Sequence, residues 1–469
     1  MRQGCGKMRK NKTYLEISLV LILIAGLLSG CFGGSSAAGT DEENGGNSDA
    51  VQLKFTYWGG PLEKDSIEAL LKAFNESHPN IQVKGQQVQG SYIEKMTTMA
   101  SSNTLPDLGY FPEGSLPPWL KSGAIKDLKP LFDSGEIGNK LKYSIFQFEE
   151  NGPIAGSSVA NEVTNIYFNK DLFDEAGVEY PPTKAEEAWT WDEFVEVAKK
   201  LTVDRNGKHP GEDGFDPKNI KTYGVNNFTY HYETILFSNE GGIISEDGKD
   251  IIIDEPETIE ALQKMQDLMY VHHVMPTPAN LSTIPNVDTA LLTKRVAMNI
   301  DGHWALQELG KAKKEKNLNL GIGVLPKMKK AVTTSYGTPI VVFNTDNTNE
   351  NWDETKEFLK FIMDPKNSLP LITGGLWMPN EENWYTDPQL IKEWTDTDIH
   401  PEEFKEAVID WAMSNVRQNP NYYWGERSEA SQIITPGLDQ IWTNKKSAED
   451  VVNDVIMPKL KQKFGDKYQ

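Results

Sequence analysis

The chain of 469 residues carries 68 acids against 47 lysines and arginines, a formal net charge of −21. Acidity on that scale disfavours nucleic acid and other polyanions as partners. The length exceeds what one hydrophobic core usually supports, so two domains are expected, and the composition is otherwise that of a globular protein with abundant tryptophan, 12 residues in all.

The first segment is basic, with Arg2, Lys7, Arg9, Lys10 and Lys12, and residues 17–28 (ISLVLILIAGLL) are almost wholly apolar. Twelve helical residues span about 18 Å, short of the roughly 30 Å hydrocarbon core of a bilayer. A basic stretch, a short apolar run and small residues form the layout of a secretory signal rather than a spanning helix. Leu28-Ser29-Gly30-Cys31 resembles the bacterial lipobox, whose cysteine receives a diacylglyceryl group and becomes the first residue after cleavage. That resemblance implies a lipoprotein signal peptide over 1–30 and lipidation at Cys31. Cys5 would leave with the signal, so Cys31 would have no intrachain disulfide partner. Two acyl chains suffice for stable attachment without a transmembrane helix. Residues 1–30 hold five bases and one acid, so the remaining chain carries −25. Residues 31–50 are rich in Gly, Ser, Asp and Glu and are expected to be a lipid-anchored flexible tether spanning roughly 25 Å.

Folded sequence is expected from Val51. Val51, Leu53, Phe55 and Tyr57 alternate and lead into Trp58-Gly59-Gly60-Pro61, a strand ending in a turn. Residues 65–77 place Ile67, Leu70, Leu71 and Phe74 at helical spacing and stop at His78-Pro79. Ile81 and Val83 begin a second strand. Strand, helix, strand opens an α/β domain with a parallel sheet. Thr190-Trp191-Asp192-Glu193 is a capping box ahead of Phe194, Val197, Ala198 and Leu201 on one helical face. Trp352, Thr355, Phe358, Leu359 and Ile362 mark a further helix, and Ser447 caps a last one carrying Val452, Val455, Ile456 and Leu460. Buried strands are expected at 251–253, 321–325 and 340–343.

No nucleophile elbow, P-loop or H-E-x-x-H motif is present, and nothing singles out one acid pair for glycoside hydrolysis. The seven histidines are scattered; His272 and His273 are adjacent and so point apart. No metal or other cofactor is expected. Residues 204–219 (DRNGKHPGEDGFDPKN) suggest a calcium loop, but Lys208 and Phe215 stand where an EF-hand needs oxygen ligands, so a surface excursion is expected, with an irregular Ca²⁺ site as the alternative.

Several stretches together resemble the extracellular solute-binding proteins of ABC sugar importers, the maltose-binding-like family. They are Phe74, Pro79, Ile81 and Val83 in the opening unit, LPDL at 105–108, NIYFNKDLF at 165–173, EAG at 175–177, TWDEF at 190–194, MNIDGHW at 298–304 and GIGV-x-P at 321–326. The resemblance covers about 410 residues. It implies an α/β, two-lobed type II periplasmic-binding-protein fold with a hinge and an interlobe ligand cleft. By position, residues 51–156 plus 338–372 would form the N-terminal lobe and residues 157–337 plus 373–469 the C-terminal lobe. It also implies a carbohydrate ligand, ABC permease subunits with an associated ATPase as partners, a monomeric receptor, and a location on the outer face of the cell membrane.

Sugars present an apolar face and a rim of hydroxyls, so a site for them needs flat rings and a few aimed polar groups. Trp304, after Asp301-Gly302, matches the family's stacking tryptophan, and Trp424 or Tyr423 stands where a second ring is often found. Trp58 ends the first strand, at the edge where open α/β sheets bind ligands. Glu113 follows on the next such loop, Glu162 matches a hydroxyl-binding carboxylate, and Tyr230 and Trp377 complete the candidate set. Gly60-Pro61 departs from the family's pattern of polar sugar contacts, so the identity of the sugar does not transfer. The many aromatic residues point to an oligosaccharide. An extracellular carbohydrate-active enzyme, or the same receptor type for a non-sugar or acidic-sugar ligand, is the alternative.

Overall fold

The computed structural model describes residues 50–465. Cys31, the apolar run and the tether therefore lie outside the described residues. No helix among the described residues is long and apolar enough to cross a membrane.

The opening unit forms as its pattern requires. Strand β1 (Val51–Tyr57) pairs in parallel with β2 (Ile81–Gln87), Val51 opposite Ile81, and with β3 (Leu108–Tyr110), Phe55 opposite Leu108. The connecting helix buries Ile67, Leu70, Leu71 and Phe74. Phe74 meets Phe358 and Phe361 edge-on, which ties this helix to the helix Trp352–Met363. The connecting helix starts at Pro61, not at residue 65 as the apolar spacing suggests. Proline is suited to the first helical position because its missing N–H has no intrahelical partner there. The extra turn carries Glu63, which matters below.

One strand organises the rest. Strand β5 (Ile154–Asn169) is buried along all 16 residues. Its first part pairs with β4 (Ile145–Gln147) and β10 (Thr333–Val342), and its last part with β8 (Val296–Gly302) and β9 (Leu320–Gly323). Strand β8 lies parallel to β7 (Ile220–Asn226), which pairs with β6 (Val203–Asp204). Strand β10 reaches back to β3, and β11 (Val416–Arg417) adds to its other end. The main path is β2-β1-β3-β10-β5-β8-β7-β6. Strand β5 thus joins a β1–β3 half to a β6–β9 half, with β10 paired along it. The register of β10 against β5 slips between Gly337 and Pro339.

Local motifs have local causes. In NIYFNKDLF, the Asn169 side chain accepts the Asp171 N–H at 2.9 Å and starts the helix Lys170–Ala176, which ends on Gly177 at φ +63°. That left-handed C-cap is cheap only for glycine. In TWDEF, Thr190 Oγ1 accepts the Glu193 N–H and Glu193 Oε2 accepts the Thr190 N–H at 2.8 Å, the reciprocal capping box. Ser447 likewise accepts the Asp450 N–H at 3.1 Å.

Two expectations need correction. Residues 251–253 are not a strand: Ile251 makes one isolated bridge to Ile244, and the chain turns into the helix Pro256–Tyr270. Ile253 is still buried, so the apolar run reflects packing under a turn rather than sheet pairing. Strand β10 begins at Thr333, before the apolar run at 340–343, because its first half is a polar segment buried between other strands. In the 204–219 segment, the Asp204 carboxylate accepts the N–H groups of Asn206, Lys208 and Asp216 at 2.8–2.9 Å. Burial opposes its charge, but these bonds prevail and hold its pKa below the ordinary value. Asp204 is thus spent on shaping the loop, and no group of three or more metal-ligating side chains occurs among the described residues.

Candidate functional site

A cavity of about 680 Å³ opens where β5, with β10 paired along it, joins the two halves of the sheet. The first half contributes Trp58, Glu63 and Glu113, the second Tyr230, Asp301 and Trp304, and the crossing strands Glu162 and Tyr336.

Each side chain has a local reason to be there. Trp58 leaves the end of β1 and is held edge-on by Tyr92 and Tyr110, with ring centroids 5.1 and 4.9 Å away. Gly59 follows at φ +127°, and a Cβ there would lie 2.1 Å from Glu63 Oε2. Only glycine lets the Glu63 carboxyl fold back over this turn. Glu113 opens the short 3₁₀ turn Glu113–Ser115 after β3, and its Oε1 accepts the Gly337 N–H at 3.1 Å across the β10 irregularity. Glu162 sits opposite Tyr336 in the β5–β10 pairing. Trp304 follows β8 in the turn His303–Ala305 and meets Tyr336 edge-on at 5.7 Å. A Cβ on Gly302 would fall 2.1 Å from the Trp304 ring, so the glycine creates the space the indole occupies. Tyr230 is 67% exposed at the cavity and rests edge-on against His231.

The electrostatics are one-sided. Five lining residues, Glu63, Glu113, Glu162, Asp301 and Glu308, are acids, and no lysine, arginine or histidine lines the cavity among the described residues. Burial pushes Glu63 up to about 7, with Tyr110 pulling weakly the other way. Burial also raises Glu113, against the pull of backbone N–H groups and the Arg427 charge. Glu162 is held well above the usual carboxylate range, first by burial and then by the neighbouring charges of Glu63 and Glu113.

Of the candidate residues, Trp58, Glu113, Glu162, Tyr230 and Trp304 come together around this cavity. Three do not. Trp377 is 1% exposed and packs near Tyr110, with only its neighbour Leu376 reaching the cavity wall. Trp424 is buried against Phe464. Tyr423 packs on Phe148 and lines a separate cavity with Pro117 and Leu120. Glu63, Tyr336 and Glu308 were absent from the sequence candidates. The Pro61 helix start was the available signal for Glu63; Tyr336 lies in a polar strand segment with no apolar alternation to mark it.

The family model for bacterial extracellular solute-binding proteins matches residues 69–396, and the chain belongs to that family. It is 25% identical over 231 residues to the arabinooligosaccharide-binding protein of Halalkalibacterium halodurans, a match spanning 48% of this chain and 47% of that one. The chain thus spans about half the length of that relative. It is 19% identical to the multiple sugar-binding protein of Streptococcus mutans over 75% of this chain and 79% of that one. Among solved structures, the ABC substrate-binding protein of Listeria monocytogenes in complex with cycloalternan superposes with a TM-score of 0.74 at 20% identity, over 90% of this chain and all of that one. Maltose-bound MalE3 of T. maritima gives 0.70 at 21% identity, over 88% and 100%. The fold is the two-lobed fold of these binding proteins.

Proposed function

We propose that the protein is the carbohydrate receptor of an ABC importer, holding an oligosaccharide in the cavity between two lobes. The observation that carries this reading is the pairing of Trp58, Trp304 and Tyr230 rings with several carboxyl groups around one opening. Rings cover the apolar face of a sugar and carboxyl oxygens accept from its hydroxyl rim. The lobes are taken as 51–156 plus 338–372 and 157–337 plus 373–469, with β5 and β10 among the crossing segments. Closure of the lobes over ligand would be the state recognised by the permease subunits and their ATPase. No chemical step belongs to this reading; the ligand leaves unchanged. The receptor acts as a monomer on the outer face of the cell membrane.

A thermal-shift screen followed by calorimetric titration tests the ligand class. A ligand that binds only the folded form raises the melting temperature by mass action, about 2.7 kcal/mol of stabilisation at a hundredfold excess over Kd. Oligosaccharides should give the largest shifts. Tighter binding of a single hexose than of its oligomers would reject the oligosaccharide reading, and silence of every carbohydrate would reject the function.

Attachment is proposed through a diacylglyceryl group on Cys31, after removal of residues 1–30. Cys31→Ser should abolish lipid labelling and release the protein from membranes while ligand binding persists. Retention of the variant in the membrane fraction would show that residues 17–28 anchor the chain instead.

A further inference from the structure

We propose that the oligosaccharide this cavity takes carries a basic nitrogen, an amino sugar whose ammonium group is seated beside Glu162 and Glu63. The inference deepens the carbohydrate reading and rests on it. It starts from Glu162, which is 5% exposed, lines the cavity and receives no side-chain or backbone hydrogen bond at its carboxyl group from any described residue. The carboxyl oxygens open onto the cavity rather than being sealed from it, so a ligand that fills the cavity must supply their donors.

The surroundings specify what kind of donor. The titratable groups acting on Glu162 are acidic: Glu63 from the first turn of the helix Pro61–Ser77, Glu113 from the turn after β3, and the phenols of Tyr110, Tyr167, Tyr230 and Tyr385. Arg427 acts on Glu113 but does not line the cavity, and it is shared with Glu233 and laid over the Tyr422 ring. Glu63 and Glu162 therefore have no cationic partner from the chain at the cavity. A neutral hydroxyl brings one donor and two acceptor lone pairs, whereas an ammonium group brings three donors, no acceptor and a positive charge. The indoles of Trp58 and Trp304 line the same cavity, and an indole face attracts a cation. One sugar ring bearing an amine satisfies both surfaces together.

The proton balance makes this testable. In the empty site burial keeps Glu63 protonated up to about pH 7, and Glu162 is raised further. An arriving ammonium group favours the ionised carboxyl, so binding releases a proton from the pair to solvent. Affinity for a cationic sugar then rises with pH up to the carboxyl pKa, by about tenfold per pH unit for one proton released. A neutral sugar held by protonated carboxyl donors exchanges no proton below the carboxyl pKa, so its affinity is flat there and falls only above it.

The experiment is calorimetric titration of the full chain with three oligomers of equal length: glucosamine oligomers, their N-acetylated counterparts and maltooligosaccharides. Measurements at pH 5 and pH 6.5, in buffers of different ionisation enthalpy, count the protons. The glucosamine oligomer should bind at least about tenfold more tightly than either neutral oligomer at pH 6.5, gain about tenfold or more from pH 5 to 6.5, and release about one proton. In Glu162→Gln the amine preference should fall to about onefold, with the circular-dichroism melt establishing that the variant is folded; Glu63→Gln gives a second reading from a different element. Equal or tighter binding of a neutral oligomer, or no proton release, overturns the inference and leaves the carbohydrate reading standing. If no carbohydrate of any charge binds, both fall.

Discussion

Replacing Lys140 with alanine should lower the unfolding free energy by about 3 kcal/mol, the largest stability loss expected from a single charged side chain here. Its side chain is fully buried, and its ammonium group donates to Glu381 Oε1 at 2.7 Å, the Met363 carbonyl at 2.6 Å and Asn380 Oδ1 at 3.3 Å. All three donors are used, which is the condition under which a buried charge is tolerated. Burial lowers the Lys140 pKa while Glu381 pulls it back up. Asn380 in turn donates to the Ser158 carbonyl on β5 at 2.8 Å, so the lysine pins the segment that follows the cavity-lining Leu376 onto the long crossing strand. Truncation strands several buried acceptors at once. Lys140→Met keeps the packed stem and should recover part of the loss, because the cost divides between lost packing and unpaired acceptors. Lys249 and Asp247 form an ion pair of similar length, 2.8 Å, but their side chains are 76% and 55% exposed, and removing that pair should leave the unfolding midpoint nearly unchanged because solvent screens it. Urea unfolding with an unchanged m-value is the measurement. A Lys140→Ala loss below about 1 kcal/mol would mean that water replaces the lysine at no cost.

Trp304→Ala should weaken carbohydrate binding by about 30- to 100-fold, roughly 2–3 kcal/mol, with little loss of stability. The indole is only partly buried and lines the cavity, with His231 stacked on it at 6.1 Å and Tyr336 perpendicular to it at 5.7 Å. Its removal costs stacking area in the complex more than packing in the free protein. Trp304→Phe keeps a flat ring and should retain most of the affinity. Trp377→Ala provides the contrast: that ring is 1% exposed, so its loss should cost about 3–5 kcal/mol of stability. Paired titration and melting of the three variants separates the two roles. A Trp304→Ala variant that binds as tightly as the parent would remove this ring from the site.

The same contrast explains what could be read in advance. Trp304 and Trp377 both follow a glycine within two residues in stretches of similar composition. A one-dimensional pattern registers that a ring is large and apolar. It does not register whether the ring ends on a cavity or beneath one. Glu63 shows the complementary case. Its place near the start of a helix is hard to read because a first turn has little apolar content to mark it, and the apolar spacing alone begins the helix at residue 65. Residues 251–253 failed differently: three consecutive isoleucines fit a buried strand and a packed turn equally, because both bury the same side chains.

The amino-acid sequence alone determined the local elements whose causes are local. These are the alternation in β1, the apolar face of the helix behind it, the Thr190 capping box, and the Asn169 cap with its Gly177 stop. Each depends on residues a few positions apart, so backbone geometry and side-chain period suffice. Tertiary structure alone decided the site. Trp58, Glu113, Glu162, Tyr230 and Trp304 meet only because β5 runs through both halves of the sheet with β10 paired along it. The raised pKa of Glu162 has the same origin. It arises from desolvation and from carboxyl groups 99 and 49 positions earlier in the chain, and that proximity is a property of the folded chain rather than of any stretch of its sequence.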